Sequence, residues 1–177
     1  MNLQNIGVIG AGTMGNGIAQ ICAVAGINVT LLDISAGALE KALATVSKNL
    51  DRQVSKGILS EPQKHTALDK IRTSTDYTSL ANAQWVIEAA TENLDLKRRV
   101  LQQIAAHVDE QCVIASNTSS LSITELAAGV NAPERFIGLH FFNPVPVMGL
   151  IEVIRGLQTS DKTHAQAIKL VDRKSVV

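Results

Sequence analysis

The sequence predicts an α/β fold in which helices cover both faces of a doubly wound, mostly parallel sheet. Three observations predict it. Short apolar runs of strand length alternate with longer stretches of helical period. The chain opens with strand, glycine turn, helix and strand, the order of a βαβ unit. Polar residues recur just past the ends of the apolar runs, where a parallel sheet gathers its ligands.

Each element has a local reason. Ile6–Ile9 is a short apolar run and reads as a buried strand. Met14–Ala25 repeats apolar residues at helical spacing, and Gly26 supplies a C′ glycine that ends it. Asn28–Leu32 is the second strand. Ala36–Lys56 is a long helical pattern. Ser60 is placed to cap a further helix, with Pro62 in its first turn. Ile71–Thr73 is a weak strand and Trp85–Glu88 a stronger one. Leu94–Val108 is helical, and Cys112–Ser116 is a strand. Ser122 to Glu125 has the form of a capping box and opens a short helix. Phe136–His140 and Leu150–Ile154 are strands, and Asp161–Val171 is a helix.

The bulk composition narrows the function classes. With 177 residues, residues 1–177 form one domain with a substantial core. Apolar residues make up 46% and charged residues 18%, values of a soluble globular chain. Lysine plus arginine equals aspartate plus glutamate at 16 each, so no basic field recruits nucleic acid or a membrane surface. Cys22 and Cys112 both fall in apolar patterns and read as buried free thiols, which suits a reducing, cytoplasmic setting. The chain enters a strand almost at once, so no signal peptide is expected. No metal-ligand spacing is present.

The glycine turn carries the first chemistry. It reads Gly10-Ala11-Gly12-Thr13-Met14-Gly15 between a strand and a helix. Gly10 permits the tight turn, Gly12 lets a pyrophosphate approach the backbone, and Gly15 lets helix and sheet close together. The helix N-terminus adds free N–H groups and a positive dipole end. Asp33 closes the second strand, where an acid accepts hydrogen bonds from an adenosine ribose. It would repel a 2′-phosphate, and no arginine follows it directly, so NAD is favoured over NADP. The fold is then a Rossmann-like, dinucleotide-binding one.

Other polar groups fall at strand ends: Glu92, the run Asn117-Thr-Ser-Ser120, and His140. Taken alone, His140 reads as a core histidine. Glu152 changes that reading. Pro144 and Pro146 restrict the loop between them, and a return strand through Leu150–Ile154 sets Glu152 beside His140. A carboxylate in apolar surroundings needs a partner. On one imidazole nitrogen it fixes the tautomer and leaves the other free to act as a general base.

The chain resembles the N-terminal part of the L-3-hydroxyacyl-CoA dehydrogenases, including short-chain 3-hydroxybutyryl-CoA dehydrogenases. Four motifs carry the resemblance: Gly10 to Ala19, Val86-Ile-Glu-Ala89, Ala115 to Leu121, and Gly138 to Met148. It implies His140 as catalytic base, Glu152 as its orienting partner and Ser119 as the serine that holds the substrate oxygen. It implies Asn143 as a nicotinamide-side contact, and Glu92 and Lys97 as further NAD contacts. The plain alternative for Lys97 is a solvated helix lysine. Relatives commonly carry lysine where this chain has Gly149.

Asn49, Arg52 and Lys56 share one helix face. The resemblance implies that this face holds the phosphates of coenzyme A; the plain alternative is a solvated amphipathic face. His65, His107 and His164 lack a polar constellation and read as exposed. The resemblance also implies that relatives continue into a helical second domain carrying a further asparagine and most of a homodimer interface. Residues 1–177 then form the nucleotide domain without it, and Ser175-Val-Val177 reads as a strand beginning. An NAD-dependent dehydrogenase acting on acyl-CoA is the first function class. An NAD-binding module without turnover is the second, and a structural or redox-sensing protein of related fold is the third.

Overall fold

The computed structural model describes residues 3–172. The elements in chain order are β1 (Asn5–Ile9), α1 (Thr13–Val24), β2 (Asn28–Leu32), α2 (Ala36–Ser55), α3 (Glu61–Asp69), β3 (Ile71–Ser74), β4 (Trp85–Glu88), α4 (Leu94–His107), β5 (Val113–Ser116), α5 (Ile123–Ala127), β6 (Phe136–Phe141), β7 (Ile151–Ile154) and α6 (Asp161–Asp172). Two short 3₁₀ turns, Tyr77–Leu80 and Pro133–Arg135, join them. The expected strand start at residues 175–177 lies outside the described residues.

Among the described residues, seven strands form one sheet in the order β3-β2-β1-β4-β5-β6-β7. The first six are parallel and β7 closes the edge antiparallel to β6. Strand order reverses between β1 and β4, which places the ligand crevice at the carboxyl ends of those two strands.

Side chains alternate between the two faces of each strand, so two cores form. Ile6, Val8, Trp85, Ile87, Ile137 and Leu139 pack on one face, against α1 and the buried stripe of α2. That stripe, Leu39, Ala42, Val46 and Leu50, is what the helical period of the sequence encodes. Burying each leucine or valine contributes roughly 1.5–3 kcal/mol. Ile9, Val86, Ile114 and Phe136 pack on the other face with Leu101 and Ile104 of α4 and Leu126 of α5.

The ends of the helices follow their caps. Gly26 stands one residue past the C-cap of α1 at φ 83°, a backbone that glycine adopts at little steric cost. Ser60 and Gln63 form a reciprocal capping box at α3. Ser122 caps α5 by accepting the Glu125 N–H, but the Glu125 carboxylate turns to Arg98 instead of closing the box. Cys22 and Cys112 are buried and free.

Candidate active site

The glycine turn sits at the end of β1. Gly10 has φ 98°, and a Cβ there would lie 2.7 Å from the Ala90 backbone. A Cβ on Gly15 would lie 1.7 Å from the Gly10 carbonyl oxygen, so α1 closes on the turn only because residue 15 lacks one. Gly12 differs: a Cβ there would meet no protein atom within 4 Å. Gly12 is also the N-cap of α1 and makes no side-chain capping bond, so the amides of Thr13, Met14 and Gly15 open the helix uncapped. Open backbone at Gly12 and an uncapped helix start suit a pyrophosphate.

Asp33 supports the turn directly. Its Oδ2 accepts the Ala11 N–H at 2.8 Å and its Oδ1 accepts the Ser35 N–H at 2.9 Å. Each oxygen keeps acceptor capacity, so the carboxylate can brace the turn and still receive a ribose hydroxyl.

The histidine lies on the same carboxyl edge. β6 and β7 pair His140 with Glu152, and His140 Nδ1 stands 2.8 Å from Glu152 Oε2. An ionised carboxylate only accepts, so in the neutral imidazole Nδ1 carries the proton and Nε2 is left as the acceptor. The Phe142 ring lies 4.6 Å from the imidazole, centre to centre. The expected apolar surroundings of Glu152 are not found. Its side chain is 53% exposed because β7 is the sheet edge, whereas that of His140 is 18% exposed. Strand register, not the desolvation of a buried acid, brings the pair together.

The β6–β7 loop is seated on α1. Val145 is buried, and a Cβ on Gly17 would lie 2.8 Å from the Val145 Cβ. Asn143, exposed in this loop, is thereby carried on the helix that opens at the glycine turn.

Glu92 grips the serine loop. Its carboxylate accepts the Thr118 hydroxyl at 2.7 Å, the Ser119 N–H at 2.9 Å and the Ser119 hydroxyl at 3.3 Å. Partial burial pushes the Glu92 pKa up, but the bonds from Thr118 and Ser119 and the nearby Lys97 charge outweigh it and hold the carboxyl below its ordinary value. Ser119 itself is exposed at the edge.

Lys97 is neither solvated nor at the surface. It is 1% exposed, ion-paired with the fully buried Glu88 and donating to Ser116 Oγ at 3.2 Å. Ser116 in turn donates to Glu88 at 2.9 Å, and Glu88 accepts the Ala90 N–H at 2.9 Å. This network ties the ends of β4 and β5 beneath the crevice. Sequence reasoning missed Glu88, although an acid closing the apolar run Trp85-Val-Ile-Glu88 was the available signal.

The substrate-side expectations fall on α2 and its end. Asn49 is half-buried and donates to Gln20 at 3.2 Å, while Arg52 and Lys56 are exposed. His65 is exposed; His107 and His164 are half-buried rather than exposed, and the His107 ring lies 5.9 Å from that of Tyr77, tilted by 35°. Among the described residues no helix is long and apolar enough to cross a membrane, and no cluster of three or more His, Cys, Asp or Glu gathers to hold a metal.

Residues 5–176 match the family model described as 3-hydroxyacyl-CoA dehydrogenase, NAD binding domain. The chain belongs to this family. NAD is the cofactor that the domain binds, and the open turn at Gly12 with Asp33 beside it fits that group. The chain is 48% identical over 169 residues to a 3-hydroxybutyryl-CoA dehydrogenase of Bradyrhizobium diazoefficiens, covering 96% of this chain and 58% of the relative. It is 44% identical to a 3-hydroxyadipyl-CoA dehydrogenase of Escherichia coli, covering 96% of this chain and 36% of that relative. The crystal structure of an (S)-3-hydroxybutyryl-CoA dehydrogenase from Ralstonia eutropha superposes with a TM-score of 0.96 at 55% identity, covering 98% of this chain and 61% of that one. The chain therefore spans less than two thirds of the length of these relatives.

Proposed function

We propose that the protein oxidises (S)-3-hydroxyacyl-CoA, of short acyl chain, to 3-ketoacyl-CoA with NAD, and catalyses the reverse. The observation that carries this reading is the 2.8 Å contact of His140 Nδ1 with Glu152 on the sheet edge that holds the glycine turn. A module that only held NAD would have no use for a histidine oriented in this way.

Gly10–Gly15 and Asp33 would hold NAD, which would supply the hydride acceptor. His140 Nε2 takes the proton of the 3-hydroxyl as hydride leaves C3. Glu152 stabilises the imidazolium that forms, and in the reverse direction His140 returns the proton. Ser119 Oγ holds the substrate oxygen, with its loop gripped by Glu92. Asn143 would contact the nicotinamide, and Glu92 and Lys97 would help to hold the cofactor. Since the Lys97 ammonium is buried on Glu88, its part is to set the strand ends and the local charge. Asn49, Arg52 and Lys56 receive the coenzyme A phosphates. The setting is cytoplasmic, and the partner is an acyl-CoA rather than a nucleic acid or membrane.

General acid–base catalysis contributes about 10²–10⁴-fold. The test is NADH consumption with acetoacetyl-CoA, run beside NADH binding, for wild type and His140→Gln. Turnover should fall by about that factor while binding stays unchanged; retained turnover would overturn the reading. The alternative reading is an NAD-binding module without turnover. Binding without turnover in the wild type would support it.

A further inference from the structure

The parallel ladder between β5 and β6 runs from Ile114 opposite Phe136 to Ser116 opposite Gly138. It ends two residues before His140. Beyond that point β6 pairs with β7, the exposed edge strand. A catalytic imidazole held only from an edge strand would sit on the least constrained part of the sheet.

Asn117 takes over where the ladder stops. It lies one residue past β5, is 9% exposed, and its Oδ1 accepts the Phe141 N–H at 2.9 Å. That N–H belongs to the peptide unit joining His140 to Phe141, so the bond sets the plane from which the histidine side chain departs. Asn117 is itself anchored, because its own N–H donates to the Glu88 carbonyl at 2.8 Å. The Glu88 side chain is locked in turn by Lys97, Ser116 and the Ala90 N–H. A continuous path thus runs from the buried ion pair to the backbone of His140.

We propose that Asn117 is a positioning residue for His140, replacing the missing ladder bond with a side-chain carbonyl and so holding the imidazole against Glu152. This rests on the reading of His140 as the base, but its test does not need turnover. The probe is the His140 Nδ1 proton, followed by NMR in ¹⁵N-histidine-labelled full chain. Wild type should show a protected, downfield Nδ1–H. Asn117→Ala should speed its exchange by about tenfold, the equivalent of one lost hydrogen bond. Asn117→Asp keeps an oxygen acceptor and should restore protection. NADH binding should stay unchanged in both.

Exchange that is equal in wild type and a folded Asn117→Ala would overturn the proposal. So would a loss of protection in Asn117→Ala that Asn117→Asp, itself folded, fails to restore. A merely structural role would lower the melting temperature and leave the Nδ1 proton of the still-folded protein unmoved. Should Asn117→Ala fail to fold, Asn117→Ser, which lacks the reach to Phe141, carries the same expectation and the same refutation. If His140→Gln keeps full turnover while the exchange result holds, the base assignment fails and the positioning contact stands.

Discussion

Removing Lys97 should destabilise the domain far more than removing a surface lysine. Glu88 is 0% exposed and Lys97 1% exposed, so Lys97→Met leaves a carboxylate in the interior with only the Ser116 hydroxyl and the Ala90 N–H as donors. Breaking one side of a buried pair costs about 3–5 kcal/mol, because the remaining charge is neither solvated nor paired. For a domain of this size, about 2–4 °C of melting temperature accompanies each kcal/mol. Lys97→Met should therefore melt roughly 6–20 °C below wild type. Glu88→Gln should also destabilise. The double variant Glu88→Gln/Lys97→Met removes both charges and keeps amide partners for Ser116 and Ala90. It should recover about 2–3 kcal/mol relative to the sum of the single changes. Urea unfolding followed by circular dichroism measures all four proteins. Simple additivity, or a cost below about 1 kcal/mol for Lys97→Met, as for an exposed pair, would refute the claim that the network is a buried structural unit.

Two further outcomes follow from the same geometry. Gly12→Ala should fold with wild-type stability, since its Cβ meets no protein atom, yet bind NADH more weakly; Gly15→Ala should lose stability, since its Cβ would overlap the Gly10 carbonyl. Thermal melts and NADH titration of both variants separate these effects. Burial pushes the Cys112 thiol up to about 12, so native protein at pH 8 should resist iodoacetamide at this position and react after unfolding. A raised thiol pKa stabilises the fold below the ordinary thiol value, and that contribution is lost as pH climbs from there towards the folded value. Mass spectrometry of alkylated peptides and alkaline melts check the two parts.

Element order and most element ends were legible in the sequence, because here local signals and the fold agree. Gly26, Ser60 and the apolar stripe of α2 mark their helices without reference to anything distant. The glycine turn was equally legible, since its context is local: a strand before it and a helix after it. The pairing of His140 with Glu152 was legible from two prolines and a return strand, but its stated cause was not. Glu152 lies on an edge strand, and which strand forms the edge depends on the whole sheet order. The burial of Lys97 was hidden for a similar reason. Helical spacing alone does not tell that its face points at Glu88 and Ser116, which reach one another across the parallel register of β4 and β5. The contact of Asn117 with Phe141 was hidden because it exists only where the β5–β6 ladder runs out. A glutamate exposed at the edge and a lysine buried at the ends of β4 and β5 are both non-local outcomes.

The measurement that bears most directly on the central claim compares wild type with His140→Gln on one preparation. NADH binding and NADH consumption with acetoacetyl-CoA are read side by side. The role of His140 as general base requires unchanged binding and a fall in turnover of about 10²–10⁴-fold. Undiminished turnover in His140→Gln, with binding intact, would contradict it.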